Sequence, residues 1–148
     1  MIPVTDIQQL ATDIQTYVGG IDDTVIAADE RHLSKRLNDK KGKVLAVSLP
    51  ASDSSALDVN NYSDRNNIFM FILEKKHPDM NEVEELEHYQ EMQVIAKGIK
   101  EFIIDQKEAG SEFFAFANES RIRTEPEYNV FGVYNGYSIG FELKDFEY

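Results

Sequence analysis

The stretch NIFMFILEKK, from Asn67 to Lys76, decides the fold predicted for this chain. Alternate side chains of a strand point to opposite faces of a sheet, so an apolar run gives a strand with two apolar faces. Such a strand is central in its sheet, with cover on both sides or with a neighbouring subunit pressed against it. The apolar residues of this run are Ile68, Phe69, Met70, Phe71, Ile72 and Leu73.

The residues before this strand predict a partner strand and a polar surface loop. KVLAVSL, Lys43 to Leu49, has the short apolar character of a strand, and Pro50 ends it. The following segment, ASDSSALDVNNYSDRN (Ala51 to Asn66), is rich in Ser, Asp and Asn and has few apolar anchors. A surface loop of this length inside a compact domain is often functional or mobile, so we expect a loop at 51–66.

An amphipathic helix is predicted at the N-terminal end, over Thr5–Val18. Thr5 and Gln8 have the spacing of a capping box, with Pro3 just before them. Apolar residues then recur every three or four positions until Gly19-Gly20 ends the run.

RHLSKRLNDKKGK, Arg31 to Lys43, is a local basic stretch in an acidic chain. Leu33 and Leu37 indicate a short helix near Arg31–Asn38, because residues four apart share one helix face. We interpret the charges of this stretch as a solvated helix end and turn.

A long helix is predicted over HPDMNEVEELEHYQEMQVIAKGIKEFIIDQKEAG. Asn81 can cap it with Glu84 as the capping-box partner, and acidic residues in the first turns suit the positive end of the helix dipole. Gly110 ends the pattern after about 26 residues. The predicted buried stripe consists of Val83, Leu86, Tyr89, Met92, Ile95, Ile99, Phe102 and Ile103.

Two further strands are predicted in the C-terminal part of the chain. SRIRTEPE, Ser120 to Glu127, alternates as an exposed strand does, and Tyr137 to Lys144 alternates large apolar residues with polar or small ones. The segment FFAF (113–116) fits either a helical turn or a short strand. The residues predicted to face the core from the last strand are Tyr137, Ile139, Phe141 and Leu143.

The element order is therefore helix, strand, strand, long helix, strand, strand. This order predicts an α+β fold in a single domain over residues 1–148, with the helices packed on one face of a mostly antiparallel sheet.

Composition narrows the functional classes. Fifteen Lys and Arg against 27 Asp and Glu give a formal charge of −12, and a surface this negative repels phosphate and anionic lipid. We therefore expect no sequence-specific nucleic-acid partner and no membrane partner. Cysteine is absent, which excludes disulfides and thiolate metal sites. The N-terminus lacks a basic signal-peptide region, and no stretch approaches the roughly 20 apolar residues of a membrane span.

GYSIG (136–140) matches G-x-S-x-G, the nucleophile elbow of serine hydrolases. An elbow needs a strand, a tight turn that holds the serine, and then a helix, and the triad histidine follows later in the chain. Only FELKDFEY follows Gly140, it continues the strand alternation, and all three histidines precede Ser138. We therefore expect Ser138 to be an outward-facing strand residue and not a nucleophile.

Glu85-x-x-His88 on the long helix has the spacing of half a di-iron carboxylate site. A complete site needs a matching half and carboxylates from two further helices. A solvated acidic helix start in which one histidine pairs with a glutamate explains the spacing more simply. We therefore predict no catalytic, cofactor-binding or metal-binding residue. The same acid–histidine spacing recurs in Asp29-x-x-His32 and Glu74-x-x-His77.

The element order and the C-terminal pattern resemble the tail-terminator and tail-completion (head–tail joining) proteins of long-tailed phages and prophages. The resemblance covers most of the chain. It implies a small α+β subunit without cofactors that assembles as a ring, usually a hexamer, at the head-proximal end of the tail tube. The elements that carry it are the helix Thr5–Val18, the strands Lys43–Leu49 and Asn67–Lys76 around a polar loop, the long helix and the closing strand GYSIGFEL.

On this interpretation the protein is a non-enzymatic structural subunit. Its expected partners are copies of itself and other tail or connector proteins, and its expected location is the cytoplasm before assembly and the virion, or a virion-like particle, afterwards. The 51–66 loop and the strand edges would contact adjacent subunits or the tail tube. Two alternatives stay open: a stand-alone protein-binding adaptor domain, and an unrecognised hydrolase or metal enzyme.

Overall fold

A computed structural model of the chain describes residues 1–59, 61–110 and 121–147, and it confirms the α+β class. Within these ranges, five strands form one sheet in the order β1-β2-β3-β5-β4, where β1 and β2 are parallel and the other neighbours are antiparallel. In chain order the elements are α1 (Val4–Val18), β1 (Asp23–Ala27), α2 (Glu30–Leu37), β2 (Val44–Asp58), β3 (Asn61–Lys75), α3 (Glu82–Glu108), β4 (Arg123–Val130) and β5 (Tyr134–Glu147).

β3 is the central strand, as its two apolar faces predicted. Ile68, Met70 and Ile72 are buried against the helices on one face of the sheet. The alternate residues Phe71 and Leu73 are buried in a second cluster on the opposite face. The two cores therefore share one sheet, and β3 contributes to both.

α1 and α3 pack on the same face of the sheet, in the arrangement that the sequence predicts. Apolar positions at helical spacing form the buried side of each helix. α1 buries Ile7, Leu10, Ala11 and Ile14, and α3 buries Met92, Ile95, Ala96, Ile99, Phe102 and Ile103.

The start of α1 differs from the prediction, because the helix begins at Val4 and Thr5 is not its cap. Pro3 holds the N-cap position in an extended conformation, without a side-chain cap. Its carbonyl oxygen accepts a hydrogen bond from the amide of Asp6 at 3.0 Å. A proline fixes φ near the value that this position needs, which explains why the helix starts beside it.

α3 begins and ends where the sequence indicates. The Asn81 side chain accepts a hydrogen bond from the Glu84 amide at 2.9 Å, and Gly110 has a positive φ of 81° directly after the final turn. No helix in the described ranges has the length and apolarity needed to cross a bilayer.

The first two turns of α3 correct the predicted stripe, because Val83 and Leu86 are 65% and 56% exposed. His88 contacts Glu74, the residue before the last one of β3. The turns that precede His88 therefore extend past the end of the central strand, which explains the exposure of Val83 and Leu86.

α2 lies on the face opposite α1 and α3, so the prediction of all helices on one face is wrong for this short helix. Leu33 and Leu37 are fully buried there against Phe71 and Leu73. The Tyr134 hydroxyl donates to the carbonyl oxygen of Leu37 and satisfies one acceptor at the end of the helix. The physical reason is that β3 has two apolar faces, and the second face also needs cover.

The segment predicted as a surface loop at 51–66 is instead a hairpin, formed by the second half of β2 and the first half of β3. The register shifts between Ser48 and Ala51, so that Leu49 and Pro50 lie opposite a single residue of β3. This β-bulge accommodates Pro50, which cannot donate to a sheet ladder. Strand pairing therefore continues across the position where the sequence predicted an end.

β4 and β5 confirm the two predicted C-terminal strands with longer bounds for β5. Asn129, near the end of β4, and Phe131, in the turn between the strands, have positive φ values of 54° and 51°. Ile139, Phe141 and Leu143 of β5 are buried on the face of α1 and α3, as predicted. The predicted FFAF segment (113–116) lies outside the described residues.

Candidate functional site

The GYSIG segment is continuous β-strand, with Ser138 paired to Phe71 on β3 and to Glu125 on β4. No turn or helix follows Ser138 as an elbow requires, because β5 continues to Glu147. Ser138 does lie on the face opposite Ile139, as predicted. It is only 2% exposed, so on that face it meets neighbouring side chains and not solvent. A serine between larger residues on both neighbouring strands is shielded by them.

The residues of the three acid–histidine spacings form local hydrogen bonds at separate places in the structure. Asp29 caps α2 by accepting a hydrogen bond from the amide of His32 at 2.9 Å. His77 Nδ1 accepts a 3.4 Å hydrogen bond from the amide of Asp79. Across residues 1–59, 61–110 and 121–147, no three or more ligand-type side chains are grouped so that they could hold a metal ion.

His88 forms a pair with a glutamate, but the partner is Glu74 on β3 and not Glu85 on its own helix. His88 Nε2 lies 2.8 Å from Glu74 Oε1, and the histidine is 6% exposed. Its Nδ1 is buried and has no hydrogen-bond partner among the described residues. The pair joins the first half of α3 to the end of the central strand, on the face opposite Ser138.

α2 covers only one end of the sheet face on which it packs and leaves the rest of this face open around Phe69. We define this open face by Phe69 and its neighbours across the sheet, Ser48, Gly140 and Arg123. Phe69 is 41% exposed although it lies on the central strand. α2 has only eight residues, and its buried leucines cover Phe71 and Leu73 but not Phe69.

A shallow groove of about 330 Å³ crosses the open face. Phe69 provides its aromatic wall, and the Phe69 ring contacts Phe71 edge to face at a centroid distance of 5.2 Å. Arg123 Nε donates to Glu125 Oε1 at 2.8 Å along the rim. Apolar surface with charged groups at its edge is a composition found in protein-binding surfaces. The other residues that line the groove are Asn67, Ile68, Arg121, Ser138, Gly140, Phe141 and Glu142.

The hairpin extends the same sheet into solvent, and we call its part formed by 51–58 and 61–67 the ribbon. Asp53, Ser54, Ser55 and Ala56 are consecutive exposed residues, so both faces of this strand meet solvent. Val59 at the turn is 85% exposed. The third strand of this part of the sheet is β5, which pairs with β3 as far as Tyr62.

One polar cluster holds the base of the ribbon. Asp64 is buried and accepts hydrogen bonds from the Ser54 hydroxyl and from the N-terminal ammonium of Met1. The ammonium group and then the hydroxyl hold the pKa of Asp64 below its usual value, because both stabilise the carboxylate. At least one acidic residue of this segment, Asp64, therefore has a structural role; the others are Asp53 and Asp58.

Sequence reasoning identified the strand that carries Phe69 but not the exposure of Phe69. The sequence shows two apolar faces on this strand, and each face can be covered either by the rest of the chain or by a neighbouring subunit. No protein-family model and no curated protein matches the sequence. The functional interpretation therefore depends on the open face and the ribbon.

Proposed function

We propose that the protein is a non-enzymatic structural subunit that assembles with copies of itself into a ring at the tail or head–tail junction of a phage or prophage particle. The observation that carries this proposal is the open face, where a phenylalanine of the central strand remains exposed beside a groove. A ring subunit needs complementary surfaces and no catalytic residues. Other tail or connector proteins would then bind the completed ring.

The exposure of Phe69 favours a protein partner on physical grounds. Full burial of a phenylalanine side chain stabilises a structure by about 1.5–3 kcal/mol, and part of this gain is unused while Phe69 faces water. Aromatic residues surrounded by a polar rim are typical of the energetically dominant positions of interfaces. Arg123 and Glu125 provide such a rim here.

The ribbon is a second surface, and it is long enough to contact a neighbouring subunit. Eight residues from Ala51 to Asp58 span about 27 Å at the rise of an antiparallel strand. Its side chains are mostly polar and favour solvent, and the backbones of its two strands pair with each other. A solvated arm of this length can lie across a neighbouring subunit or the tail tube.

Sedimentation velocity over a dilution series tests the proposal. We expect the wild-type protein to form one closed oligomer at high concentration and to dissociate on dilution. Phe69→Ser should raise the concentration needed for assembly by about tenfold or more, since the interface loses an aromatic contact. Val133→Ser is the matched control, because Val133 is 49% exposed and lies in the turn between β4 and β5, outside the groove.

A wild-type protein that stays monomeric at the highest concentration would contradict the proposal and favour the adaptor alternative. Equal assembly of the Phe69→Ser and wild-type proteins would remove the open face from the interface. The genes beside this one give an independent test, because the proposal expects capsid and tail genes on either side.

A further inference from the structure

The basic residues of this acidic protein are concentrated on the exposed side of α2 and the turn after it. Six of the 15 Lys and Arg lie between Arg31 and Lys43, where Asp39 is the single acidic residue. Lys40 contacts Asp23 at 2.9 Å and Lys43 contacts Glu91 at 3.6 Å. The remaining cations define what we call the basic surface: Arg31, Lys35, Arg36 and Lys41.

The basic surface is not neutralised within the described part of the subunit. There, Arg31, Lys35 and Lys41 have no carboxylate within ion-pair distance. Arg36 donates to His32 Nε2 at 2.8 Å, which leaves its positive charge without an anion. Exposed cations that find no partner inside the subunit remain available to an acidic partner.

The outward side of the first two turns of α3 has the opposite character. Val83 and Leu86 are exposed there although both are large and apolar. Glu82 lies one turn from Leu86, and Glu87 lies one turn from Val83, so carboxylates flank the apolar pair. Among the described residues, neither glutamate has a cationic partner. We call these four residues the α3 docking face.

The two surfaces are carried by α2 with its following turn and by α3, and these helices pack on opposite faces of the sheet. α2 packs on the cluster that contains Phe71 and Leu73, whereas α3 packs on the cluster that contains Met70 and Ile72. A two-fold dimer would join two different surfaces only by making both contacts in a single interface. A head-to-tail arrangement joins them once per subunit and closes into a ring when the rotation allows it.

We propose that the basic surface of one subunit docks on the α3 docking face of the next copy, which sets the head-to-tail direction of the ring. This inference rests on the proposed ring assembly and names the surfaces that connect its subunits. The aliphatic stems of Lys35 and Arg31 cover Val83 and Leu86, while their charged ends pair with the flanking glutamates. The apolar contact supplies affinity, and the charges select the orientation.

Charge reversal with complementation tests the proposal. The double variant Arg31→Glu/Lys35→Glu places acid against acid in this interface, and Glu82→Lys/Glu87→Lys places base against base. Each variant alone should need at least about tenfold more protein to assemble, because like charges oppose association across an interface. An equimolar mixture should restore assembly, because alternating subunits then present opposite charges at every contact.

Lys97→Glu/Lys100→Glu is the matched control. It changes the net charge by the same amount as the α2 variant, but both lysines lie in a groove between α3 and β4, away from the two surfaces. Circular dichroism melting of each variant confirms that it is folded. We expect the control to assemble like the wild type, and we expect 1 M salt to weaken wild-type assembly, because charge interactions are then screened within about 3 Å.

The outcomes separate this inference from the proposed function. Suppose that the wild type assembles. If both reversal variants then assemble equally well, or if their mixture shows no rescue, the docking arrangement is overturned and the ring proposal stays intact. A wild-type protein that never assembles overturns both.

Discussion

Replacing Gly136 by alanine tests how closely the two central strands of the sheet approach each other. Gly136 lies on β5 and pairs with Leu73 on β3. A Cβ atom at this position would overlap the carbonyl oxygen of Ile72 and lie 3.0 Å from its carbonyl carbon and 3.1 Å from Leu73 Cα. All three atoms belong to the backbone of the central strand, so no side-chain rotation can make room.

The expected loss of stability is large. Adding a methyl group to a packed core costs about 1–3 kcal/mol where side chains can adjust, and here two strands must move apart. We therefore expect Gly136→Ala to lower the free energy of unfolding by about 3 kcal/mol or more. That loss corresponds to a fall of roughly 6–12 °C in Tm for a chain of this size. Strand propensity alone predicts the opposite sign, because glycine in a strand is about 0.5–1 kcal/mol worse than alanine.

Urea unfolding followed by far-UV circular dichroism measures this change, and Gly140→Ala is the matched control. Gly140 lies on the same strand and the same face, but its added Cβ would meet the ring of Phe69 at 3.2 Å. That ring is partly exposed and can move, so we expect a change of about 1 kcal/mol or less. Equal unfolding midpoints for the two variants would refute the reasoning, since they would show that β3 and β5 are not in close contact at Gly136.

Three further predictions concern single elements. Asn81→Ala should destabilise the protein by about 1 kcal/mol in urea unfolding, because α3 loses its side-chain cap; no change would mean that the cap is dispensable. Met92→Ala should cost about 2–5 kcal/mol and Val94→Ala less than about 0.5 kcal/mol, since the first residue is fully buried and the second is 72% exposed; similar values would contradict the assigned orientation of α3. The hydrogen bond from Lys40, and then the one from the Thr24 amide, lower the pKa of Asp23 below 3.8 in the folded protein. The ionised Asp23 side chain therefore stabilises the fold above pH 3.8. This stabilisation is lost as the pH falls through the lower pKa of the folded state. The stability difference between wild type and Asp23→Asn should therefore shrink below pH 3.8 in acid titration, and a constant difference would exclude this charge effect.

The sequence predicts the elements whose signals are local. The two apolar faces of β3 place it at the centre of the sheet, and the asparagine cap and the final glycine bound α3 correctly. The ribbon was not predicted, because Ser, Asp and Asn have low strand propensity and no single face of the segment is apolar. In the structure β3 pairs with β2 on one side and with β5 on the other, and these hydrogen bonds compensate for the low propensity. The sequence of the segment alone does not reveal this pairing.

The parallel strand β1 was missed for a related reason. Its five residues pair with β2 across the whole of α2, so the contact that stabilises it is distant in sequence. The position of α2 follows from the same crossover, which places the helix on the face opposite α1 and α3. The exposure of Phe69 depends in turn on how little of that face an eight-residue helix covers, and this is a tertiary property.

The spacing that resembles a hydrolase motif has a structural explanation in the sheet itself. Positions two apart on a strand share a face, so G-x-S-x-G places three small residues in one row along β5. Each small residue pairs with a large one on the central strand: Gly136 with Leu73, Ser138 with Phe71 and Gly140 with Phe69. Small residues opposite large ones let the side chains of β3 spread across the neighbouring strand, and at Gly136 they also let the two backbones approach.

This row connects the stability of the fold with the proposed interface, and substitutions separate the two. Gly136 acts where Leu73 is buried beneath α2, so its replacement should lower stability. Gly140 acts where Phe69 is exposed, so a larger residue there should push the aromatic ring away from β5 and alter assembly with little loss of stability. If Gly140→Val weakened folding as much as Gly136→Ala and left assembly unchanged, the open face would be only an incompletely covered core. Loss of assembly with retained folding would instead identify the Phe69 ring as part of the contact between subunits.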